Sequence, residues 1–350
     1  MRPVLKPALT QIHHPDLTLQ LGLGPATSHR YQLNAGTKAL IDALDGTRDV
    51  TTLLAYAERI GVGRSDALKL LDLLAADGCL DDEALNTSVL AALSPAERGR
   101  LGPDLSSLGL RNRLPGGAVR ALERRRARAV AVHGLGRVGS QTALRLAAAG
   151  LGAVVPLDQL AVTPADTGPG GFEDADTGSR RQEAAARHIR RCAPSTGTAL
   201  PPHRARPDLA VVAPGGQTPA ALLAELAEQG VPHLTVEVRE DRALLGPLVV
   251  PGATACTHCL DLARTDRDPH WPWVAARAGG HPGLRPACDS TLAALAAAQA
   301  ALHALAFLDG LAPPSVSAVI EYPLPYALPE RLAVEPHPAC GCVRPASCVL

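Results

Sequence analysis

The first part of the chain alternates apolar and polar positions before it changes to a helical spacing. Two runs, LTLQLGL (Leu17 to Leu23) and HRYQL (His29 to Leu33), have the two-residue period of strands, and the GPATS between them favours a turn. Three segments with helical spacing follow, NAGTKALIDAL, DVTTLLAYAERIG and SDALKLLDLLAADG. A hairpin followed by three short helices predicts a small winged-helix-like α+β domain over residues 1–84.

The pattern changes again near residue 126. Apolar strand-like runs such as RAVAVHG, GAVVPLD and PDLAVVAPG alternate with Ala- and Leu-rich helical segments such as SQTALRLAAAG and PAALLAELAEQG. This alternation is typical of a parallel, doubly wound α/β sheet, so we predict a Rossmann-like domain over residues 126–350. Residues 85–125 are rich in Ser, Pro, Gly and Arg, which favours a surface linker between the two domains.

Composition and charge narrow the choice of partners. The chain has 34 basic and 34 acidic side chains, so its net charge gives no reason to expect nucleic acid as a ligand. The third predicted helix carries Lys69 between Asp66 and Asp72, a poor surface for phosphate contacts. The N-terminus has no apolar signal segment, and no run reaches the roughly 18 uninterrupted apolar residues of a membrane span. We therefore expect a cytoplasmic protein without nucleic-acid or membrane partners.

A glycine-rich loop marks a candidate nucleotide site. Gly134, Gly136 and Gly139 lie in HGLGRVGS, between a strand-like run and a helical segment, and Asp158 follows the next strand, 19 residues after Gly139. Such glycines allow phosphate groups to approach the helix N-terminus, and an acid after the second strand can accept hydrogen bonds from ribose hydroxyls. NAD and ATP both suit this loop. Alternatively, the glycines only tighten the turn between strand and helix.

Four cysteines form two close pairs that lie far apart in the sequence. Cys256 and Cys259 make a Cys-X-X-Cys pair, and Cys340 and Cys342 follow about 80 residues later. Two such pairs of thiolates can close a tetrahedral zinc site, whereas a redox couple is expected at the start of a thioredoxin-like unit. We predict a structural zinc, with a redox couple as the alternative. The remaining cysteines are expected to be small apolar fillers rather than nucleophiles: Cys79, Cys192, Cys288 and Cys348.

Together these motifs resemble the ThiF and ubiquitin-activating-enzyme superfamily over about residues 126–350. Its members adenylate a C-terminal carboxylate with ATP and magnesium, commonly as dimers. More narrowly, LLGPLVVPGATACTHCLDLARTDRDPHWP is similar to the ThiF-like proteins of ribosomal peptide and bacteriocin pathways, which bind precursor leader peptides as partners of YcaO-like, azoline-forming cyclodehydratases. Residues 1–84 resemble their peptide recognition element. The resemblance implies a leader peptide and a YcaO-like enzyme as partners, and it allows a homodimer.

The resemblance also assigns individual residues. It matches the glycine loop and Asp158 to nucleotide binding, matches the four paired cysteines to zinc, and places Arg181 where active adenylating members have a Lys. Leu160 replaces the second acid of those members, and Gly215 stands where an Asp that helps to bind magnesium is expected. Their Asn-X-X-Arg-Gln segment is missing as well. Because a magnesium-bound triphosphate needs carboxylate ligands, the sequence assigns no catalytic residue.

We therefore predict a protein that binds a leader peptide and presents it to a YcaO-like cyclodehydratase without its own adenylation. The leader would add a strand at the edge of HRYQL or LTLQLGL, and Leu68, Leu71 and Leu74 either line its groove or belong to the core. The alternative is an ATP-dependent adenylyltransferase that activates a peptide or carrier-protein carboxylate, with Arg181 replacing the Lys. An NAD-linked oxidoreductase is disfavoured because it leaves the paired cysteines unexplained.

Overall fold

The chain forms two compact units. The computed structural model describes residues 1–24, 28–85, 88–215, 218–277 and 287–343. The first unit is Met1–Arg124, and the second begins at Arg125. Each unit has its own cluster of buried apolar side chains.

The first unit combines two small antiparallel sheets with helices. In chain order its elements are β1 Pro3–Leu5, β2 Gln11–His13, β3 Thr18–Leu21, β4 His29–Gln32, α1 Ala35–Asp42, α2 Val50–Arg59, α3 Arg64–Ala76, β5 Leu80–Asp82, α4 Ser88–Ala91, α5 Pro95–Arg111 and α6 Gly117–Arg126, the last two residues of which belong to the second unit. The two runs predicted as a hairpin are β3 and β4, which pair antiparallel. β2 extends this sheet in the order β2-β3-β4, and β1 pairs with β5.

The core of the first unit lies between the three-stranded sheet and helices α1 to α3. Leu19 from β3, Leu40 from α1 and Leu53 from α2 are almost completely buried. Along α3, Leu71 and Leu74 belong to this core, whereas Leu68 is 39% exposed. Of the three leucines that were candidates for a peptide groove, only Leu68 is therefore available to a ligand.

Residues 85–125, which the composition predicted to be a linker, are largely helical. Ser94 caps α5 by accepting a hydrogen bond from the N–H of Glu97, while the Glu97 side chain accepts one from the N–H of Ser94. Leu108 from α5 and Leu122 from α6 are buried. The Pro-, Gly- and Arg-rich composition favoured a linker over helices. Pro95, however, occupies a first-turn position, where proline is compatible with a helix.

The second unit is built on a seven-stranded mixed sheet. Its elements are β6 Ala129–His133, α7 Arg137–Ala148, β7 Ala153–Leu157, α8 Arg181–Cys192, β8 Leu209–Val212, α9 Ala220–Glu228, β9 His233–Arg239, β10 Arg242–Val249, α10 Thr257–Arg267, α11 Trp271–Arg277, α12 Ser290–Leu308, β11 Ala318–Pro323 and β12 Glu330–Ala333. The strand order is β12-β11-β10-β9-β8-β6-β7. β9, β8, β6 and β7 are parallel, and β10 to β12 add an antiparallel extension.

Helices cover both faces of the parallel strands. Alternate residues of β8 point to opposite faces: Val211 packs with α7, α8 and α12, whereas Val212 packs with Leu226 of α9. This arrangement confirms the predicted doubly wound, Rossmann-like fold. It places the loops that follow β6, β7 and β8 together at one edge of the sheet, where ligands of such folds bind.

The long apolar helix α12 is a core element of the second unit. By length and composition alone its 19 residues could cross a membrane. In the structure, however, it packs against α7, β9 and β10, and its alanines Ala293, Ala296 and Ala300 are almost completely buried. The buried alanines allow close packing with the neighbouring elements.

Candidate functional site

Two of the three loop glycines are required by packing alone. Gly134 follows β6 with a φ of +81°, and a Cβ atom there would lie 2.5 Å from the carbonyl oxygen of Ala213. A Cβ atom at Gly139 would lie 1.8 Å from the carbonyl oxygen of Gly134. Real Cβ atoms do not approach backbone oxygens this closely, so both positions need glycine whether or not a ligand binds.

Gly136 differs from its neighbours because packing does not require it. Its φ is −69°, and a Cβ atom there would make only ordinary contacts, the nearest being 3.7 Å from Oδ1 of Asp166. Gly136 is also the N-cap of α7, and no side chain of the described residues caps this helix. The loop therefore has an open approach to a helix N-terminus, which is the feature that binds phosphate in nucleotide-binding folds.

Asp158 lies beside the glycine loop, as its sequence offset predicted. It follows β7, and because β6 and β7 are parallel neighbours, their carboxyl ends meet at one edge of the sheet. Its carboxylate accepts hydrogen bonds from the N–H groups of Leu135 at 2.8 Å and Leu160 at 2.9 Å. The same carboxylate lies 3.1 Å from the guanidinium of Arg181. These bonds fix the loop against the end of β7.

Arg181 is held by two carboxylates at this edge of the sheet. Its guanidinium donates to both oxygens of Asp166, at 2.9 and 2.7 Å, and to Asp158. Burial by itself lowers the pKa of Arg181, but the hydrogen bonds with the two carboxylates raise it above its usual value. All three side chains are at most 12% exposed. Arg181 therefore compensates buried acidic charge, and its hydrogen-bonding groups point at protein.

Sequence reasoning missed Asp166. This carboxylate also accepts the N–H of Thr163 at 2.8 Å, which forms a capping box at a short 3-10 turn. The Thr-X-X-Asp spacing of Thr163 and Asp166 is a signal that could have identified the turn. The partnership with Arg181, in contrast, joins two loops and depends on the tertiary fold.

The positions that weakened the adenylation hypothesis are open or apolar in the structure. Among the described residues, no atom beyond its chain neighbours lies within 4 Å of a Cβ atom placed at Gly215, and Leu160 is 63% exposed. Asp208, the acid before β8, pairs with Arg128 at 2.9 Å and Arg204 at 2.6 Å. It lies at the opposite end of its strand from the glycine loop, so it cannot replace a carboxylate at Gly215.

The four paired cysteines come together in the second unit. Their sulfur atoms all lie within 4.8 Å of one another. Sγ of Cys256 is 3.5 Å from that of Cys340, and Sγ of Cys259 is 3.3 Å from that of Cys342. Four thiolates around one zinc at 2.3 Å place neighbouring sulfurs about 3.8 Å apart. The donor set and its spacing are therefore compatible with a closed tetrahedral zinc site.

Local structure presents these thiols to one another. Cys256 is the N-cap of α10 and Cys259 lies in its first turn, while Gly252 and Val343 form a bridge beside them. Burial raises the pKa of Cys259, but hydrogen bonds, first from the N–H of His337, lower it to about 7. Burial and hydrogen bonds with the neighbouring thiols raise the pKa of Cys340 to about 11 and raise that of Cys342 as well, and metal ligation requires the deprotonated form of each ligand. The clustering of all four thiols favours the metal site over an isolated redox pair.

The remaining described cysteines lie outside this cluster. Cys79 is buried next to the hydroxyl of Tyr31, and burial raises the pKa of its thiol. Cys192 and Cys288 are half-buried, and burial also raises the pKa of Cys288. Raised pKa values reduce the fraction of reactive thiolate. Cys348 lies outside the described residues.

The three-stranded sheet of the first unit has a free edge at β4. Within the described residues β4 pairs only with β3. The N–H of Leu33, just after β4, donates to the carbonyl of Leu17 beside β3. Because backbone groups alternate in direction along a strand, the N–H and C=O groups of Arg30 and Gln32 point away from β3. Two residues of β4 thus present, at the sheet edge, backbone groups that have no partner among the described residues.

Side chains anchor β4 to the C-terminal end of α3. The hydroxyl of Tyr31 donates to Asp77 at 2.6 Å, and Nδ1 of His29 lies 3.4 Å from the same carboxylate. Asp77 is the C-cap of α3. Burial and the neighbouring carboxylate raise the pKa of Tyr31, so its hydroxyl remains a donor. These two side chains therefore tie β4 to the C-terminal end of α3.

Comparison with known proteins supports the Rossmann-like, ThiF-like interpretation of the second unit. Residues 112–211 match the ThiF family. The match spans 100 of the 350 residues, from the end of α5 to β8. Among curated proteins, no sequence matches significantly.

Solved structures of ThiF-like proteins share the fold over almost the whole chain. MccB from E. coli with succinimide has 18% identity and a TM-score of 0.69, covering 98% of this chain and 100% of that chain. The microcin C7 biosynthetic enzyme MccB with N-formylated MccA has 18% identity and a TM-score of 0.67, with 98% and 99% covered. PaaA has 14% identity and a TM-score of 0.67, with 93% and 98% covered. The similarity includes both units.

Proposed function

We propose that this protein binds the leader segment of a ribosomally made precursor peptide and presents it to a YcaO-like cyclodehydratase, without adenylating a substrate itself. The observation that carries the proposal is the free edge of β4, where the outward backbone groups of Arg30 and Gln32 have no partner in the part of the chain that the structure describes. An extended peptide can add to such an edge through main-chain hydrogen bonds. The MccB structures with MccA provide an example of a peptide bound to a protein of this fold.

The surroundings of β4 suit an added strand. Arg30 is exposed, and the adjacent Tyr31 is hydrogen-bonded to Asp77, so a side chain anchors the strand while the backbone of its edge faces outward. Leu68 is exposed on α3 but lies about 13 Å along the helix from Asp77, so we propose it only as an apolar contact for the far end of the leader. The backbone bonds would supply affinity and such side-chain contacts would supply specificity.

Proline substitution at the edge tests peptide binding directly. Arg30→Pro removes an outward N–H, and proline is tolerated on an edge strand whose N–H faces solvent. Arg30→Ala changes the same side chain but keeps the N–H. With labelled precursor peptides encoded beside the gene, fluorescence anisotropy should show binding to the native protein and Arg30→Ala, and loss of binding for Arg30→Pro. Equal binding by both variants would exclude strand addition at β4.

The nucleotide edge of the second unit supports the absence of adenylation. Gly215 offers no carboxylate for magnesium, Leu160 is apolar, and Arg181 is already paired with Asp158 and Asp166. Transfer of an adenylyl group needs metal ligands and fixed cations at the reacting phosphate. Incubation with ATP and candidate peptides should therefore give no ATP–pyrophosphate exchange.

The second candidate function is an ATP-dependent adenylyltransferase acting on a peptide or carrier-protein carboxylate. It is favoured by Gly136, for which packing gives no reason, and by the uncapped N-terminus of α7. MccB, which shares the fold, has been crystallised with ATP and with AMPCPP. Clear pyrophosphate exchange that depends on an added peptide would establish this function in place of the first.

We further propose that Cys256, Cys259, Cys340 and Cys342 hold a structural zinc ion. A closed four-thiolate site leaves no open coordination position, so its contribution is to stabilise the fold. We also propose that the protein is cytoplasmic, a location that keeps thiols reduced. We propose in addition that it forms a homodimer.

A further inference from the structure

A cavity of about 410 Å³ lies in the second unit between α9, α10, β9 and β10. It is distinct from the candidate nucleotide site, since none of the loop glycines, Asp158 or Arg181 lines it. Its volume falls within the range of small-molecule sites. Apolar side chains form much of its wall, among them Leu223, Leu244 and Val319.

A polar row from β9 forms the floor of the cavity. His233, Thr235 and Glu237 share one face of the strand and are buried. Glu237 accepts the N–H of Thr218 at 3.0 Å and pairs with Arg239 at 2.5 Å, and Thr235 donates to Gly246. Burial lowers the pKa of His233, which favours its neutral form. These floor residues have protein partners.

Arg264 on α10 is the exception among the charged residues of the cavity. Its guanidinium makes no hydrogen bond within the part of the chain that the structure describes, although its side chain is only 28% exposed. The nearest carboxylate, that of Asp261, is 3.9 Å away, is half-exposed and accepts the indole N–H of Trp271. The guanidinium carbon lies 4.6 Å from the centre of the Trp271 ring.

This arrangement leaves Arg264 oriented but unsatisfied. Stacking on an aromatic face holds a guanidinium in a defined plane and leaves its N–H edges free. Burial lowers the pKa of Arg264 and outweighs the carboxylates of Asp261, Glu321 and Glu237, which act to raise it. A guanidinium of this kind pairs best with a planar carboxylate through two parallel hydrogen bonds.

We propose that this cavity binds a small carboxylic acid with an apolar body of about one amino-acid residue, whose carboxylate pairs with Arg264. The apolar body packs against Leu223, Leu244 and Val319. The proposal goes beyond the leader-binding function and does not depend on it, since the cavity and the β4 edge belong to different units.

The two tryptophans of the chain make the test specific. The sequence contains only Trp271 and Trp273, and Trp273 is 61% exposed and does not line the cavity. Trp273→Phe therefore leaves Trp271 as the single fluorescent reporter, beside Arg264. Titration with N-acetyl-L-leucine should change its emission in a saturable way. N-acetyl-L-leucinamide, which lacks only the carboxylate, should bind at least about tenfold more weakly.

Paired variants test the role of Arg264 by calorimetric titration of N-acetyl-L-leucine. Arg264→Gln should weaken binding at least about tenfold. Arg277→Gln is the matched control, because Arg277 stacks on Trp273 in the same manner, at 4.2 Å, but lies outside the cavity. It should bind like the native protein. Thermal unfolding shows whether each variant is folded. If Arg264→Gln does not fold, the comparison of acid and amide on native protein still tests whether the cavity recognises a carboxylate.

Equal affinity for the acid and the amide, no binding of either, or undiminished binding by folded Arg264→Gln would overturn the proposal. The carboxylate could come from a free acid or from a peptide C-terminus. A hexapeptide of glycines ending in leucine distinguishes these sources. Binding at least as tight as that of N-acetyl-L-leucine identifies a peptide C-terminus, and weaker binding identifies a free acid; both results support a carboxylate site.

Discussion

Arg181 forms a bidentate ion pair with Asp166, with Nε 3.2 Å from Oδ2 and Nη2 2.9 Å from Oδ1, next to the loop that carries Gly136. A residue that the family resemblance placed at a phosphate-binding position is therefore engaged with protein carboxylates. Its geometry joins the helix α8 to the turn that follows β7. Loss of this ion pair should therefore both destabilise the second unit and disturb the edge of the sheet where the glycine loop lies.

Removal of Arg181 should destabilise the second unit. Arg181→Met leaves the carboxylates of Asp158 and Asp166 buried without their cation, which costs about 3 kcal/mol in the free energy of unfolding. The neighbouring Arg180 is exposed, so Arg180→Met should change stability by less than about 0.5 kcal/mol. Urea unfolding of both variants measures the difference. Equal stability would show that the pair does not contribute to folding.

Two substitutions in the glycine loop distinguish a role in packing from a role in ligand binding. Gly139→Ala should lower the free energy of unfolding by about 3 kcal/mol or more, because its Cβ would overlap the carbonyl oxygen of Gly134. Gly136→Ala should fold like the native protein. If the loop binds nucleotide, Gly136→Ala should weaken binding of ATP in equilibrium dialysis, because the added methyl blocks the approach to α7. Native-like affinity in Gly136→Ala would count against a nucleotide at this position.

Asp176 should make stability depend on pH. Burial by itself raises its pKa, but hydrogen bonds from the N–H of Glu173 and from His188 and Arg187 outweigh burial and lower it below the usual 3.8. A carboxylate whose pKa is lower in the folded state than in the unfolded state stabilises the fold fully at pH values above its unfolded-state pKa. This stabilisation is lost as the pH falls through its folded-state pKa. Asp176→Asn should therefore lower the free energy of unfolding by about 2 kcal/mol at neutral pH.

The difference between native protein and Asp176→Asn should shrink as the pH falls below 3.8. Asp174→Asn, which changes an exposed carboxylate of the same turn, is the control and should follow the native profile. The measurement is urea unfolding across the acidic range. A difference that stays constant with pH would contradict a role for the ionised carboxylate.

The zinc site should be detectable by elemental analysis. Purified protein should contain about one zinc per chain, as a closed four-thiolate site requires. Cys256→Ser should lose the metal and lower the temperature of unfolding, whereas Cys192→Ser, a half-buried cysteine outside the cluster, should keep it. Metal-free protein with native stability would refute the site.

Much of the second unit could be predicted because its signals are local. The alternation of apolar runs with Ala- and Leu-rich segments indicated the doubly wound sheet, and the spacing from Gly139 to Asp158 reflects one intervening helix and strand. The cysteines were predictable across a long separation because thiolate chemistry restricts what two close pairs can do. Each of these signals depends on residue type and spacing rather than on the tertiary contacts of the folded chain.

Other features depended on contacts that no local pattern records. Asp166 and Arg181 meet only after two loops fold together, and the unsatisfied state of Arg264 follows from the position of Trp271. The helices between Pro95 and Arg126 were missed because their polar composition dominated a sparse apolar spacing. The direction of the Arg30 backbone became evident only from the register of β4 with β3.

The order of elements along the chain also has a consequence for biosynthesis. Before it folds, α12 is an exposed apolar segment of 19 residues that membrane-insertion machinery could engage. The elements that cover it, α7, β9 and β10, all precede it in the sequence. Because domains fold progressively as the chain emerges from the ribosome, the receiving surface is synthesised before the segment that needs it. The sequence order thus limits the time during which α12 is unprotected.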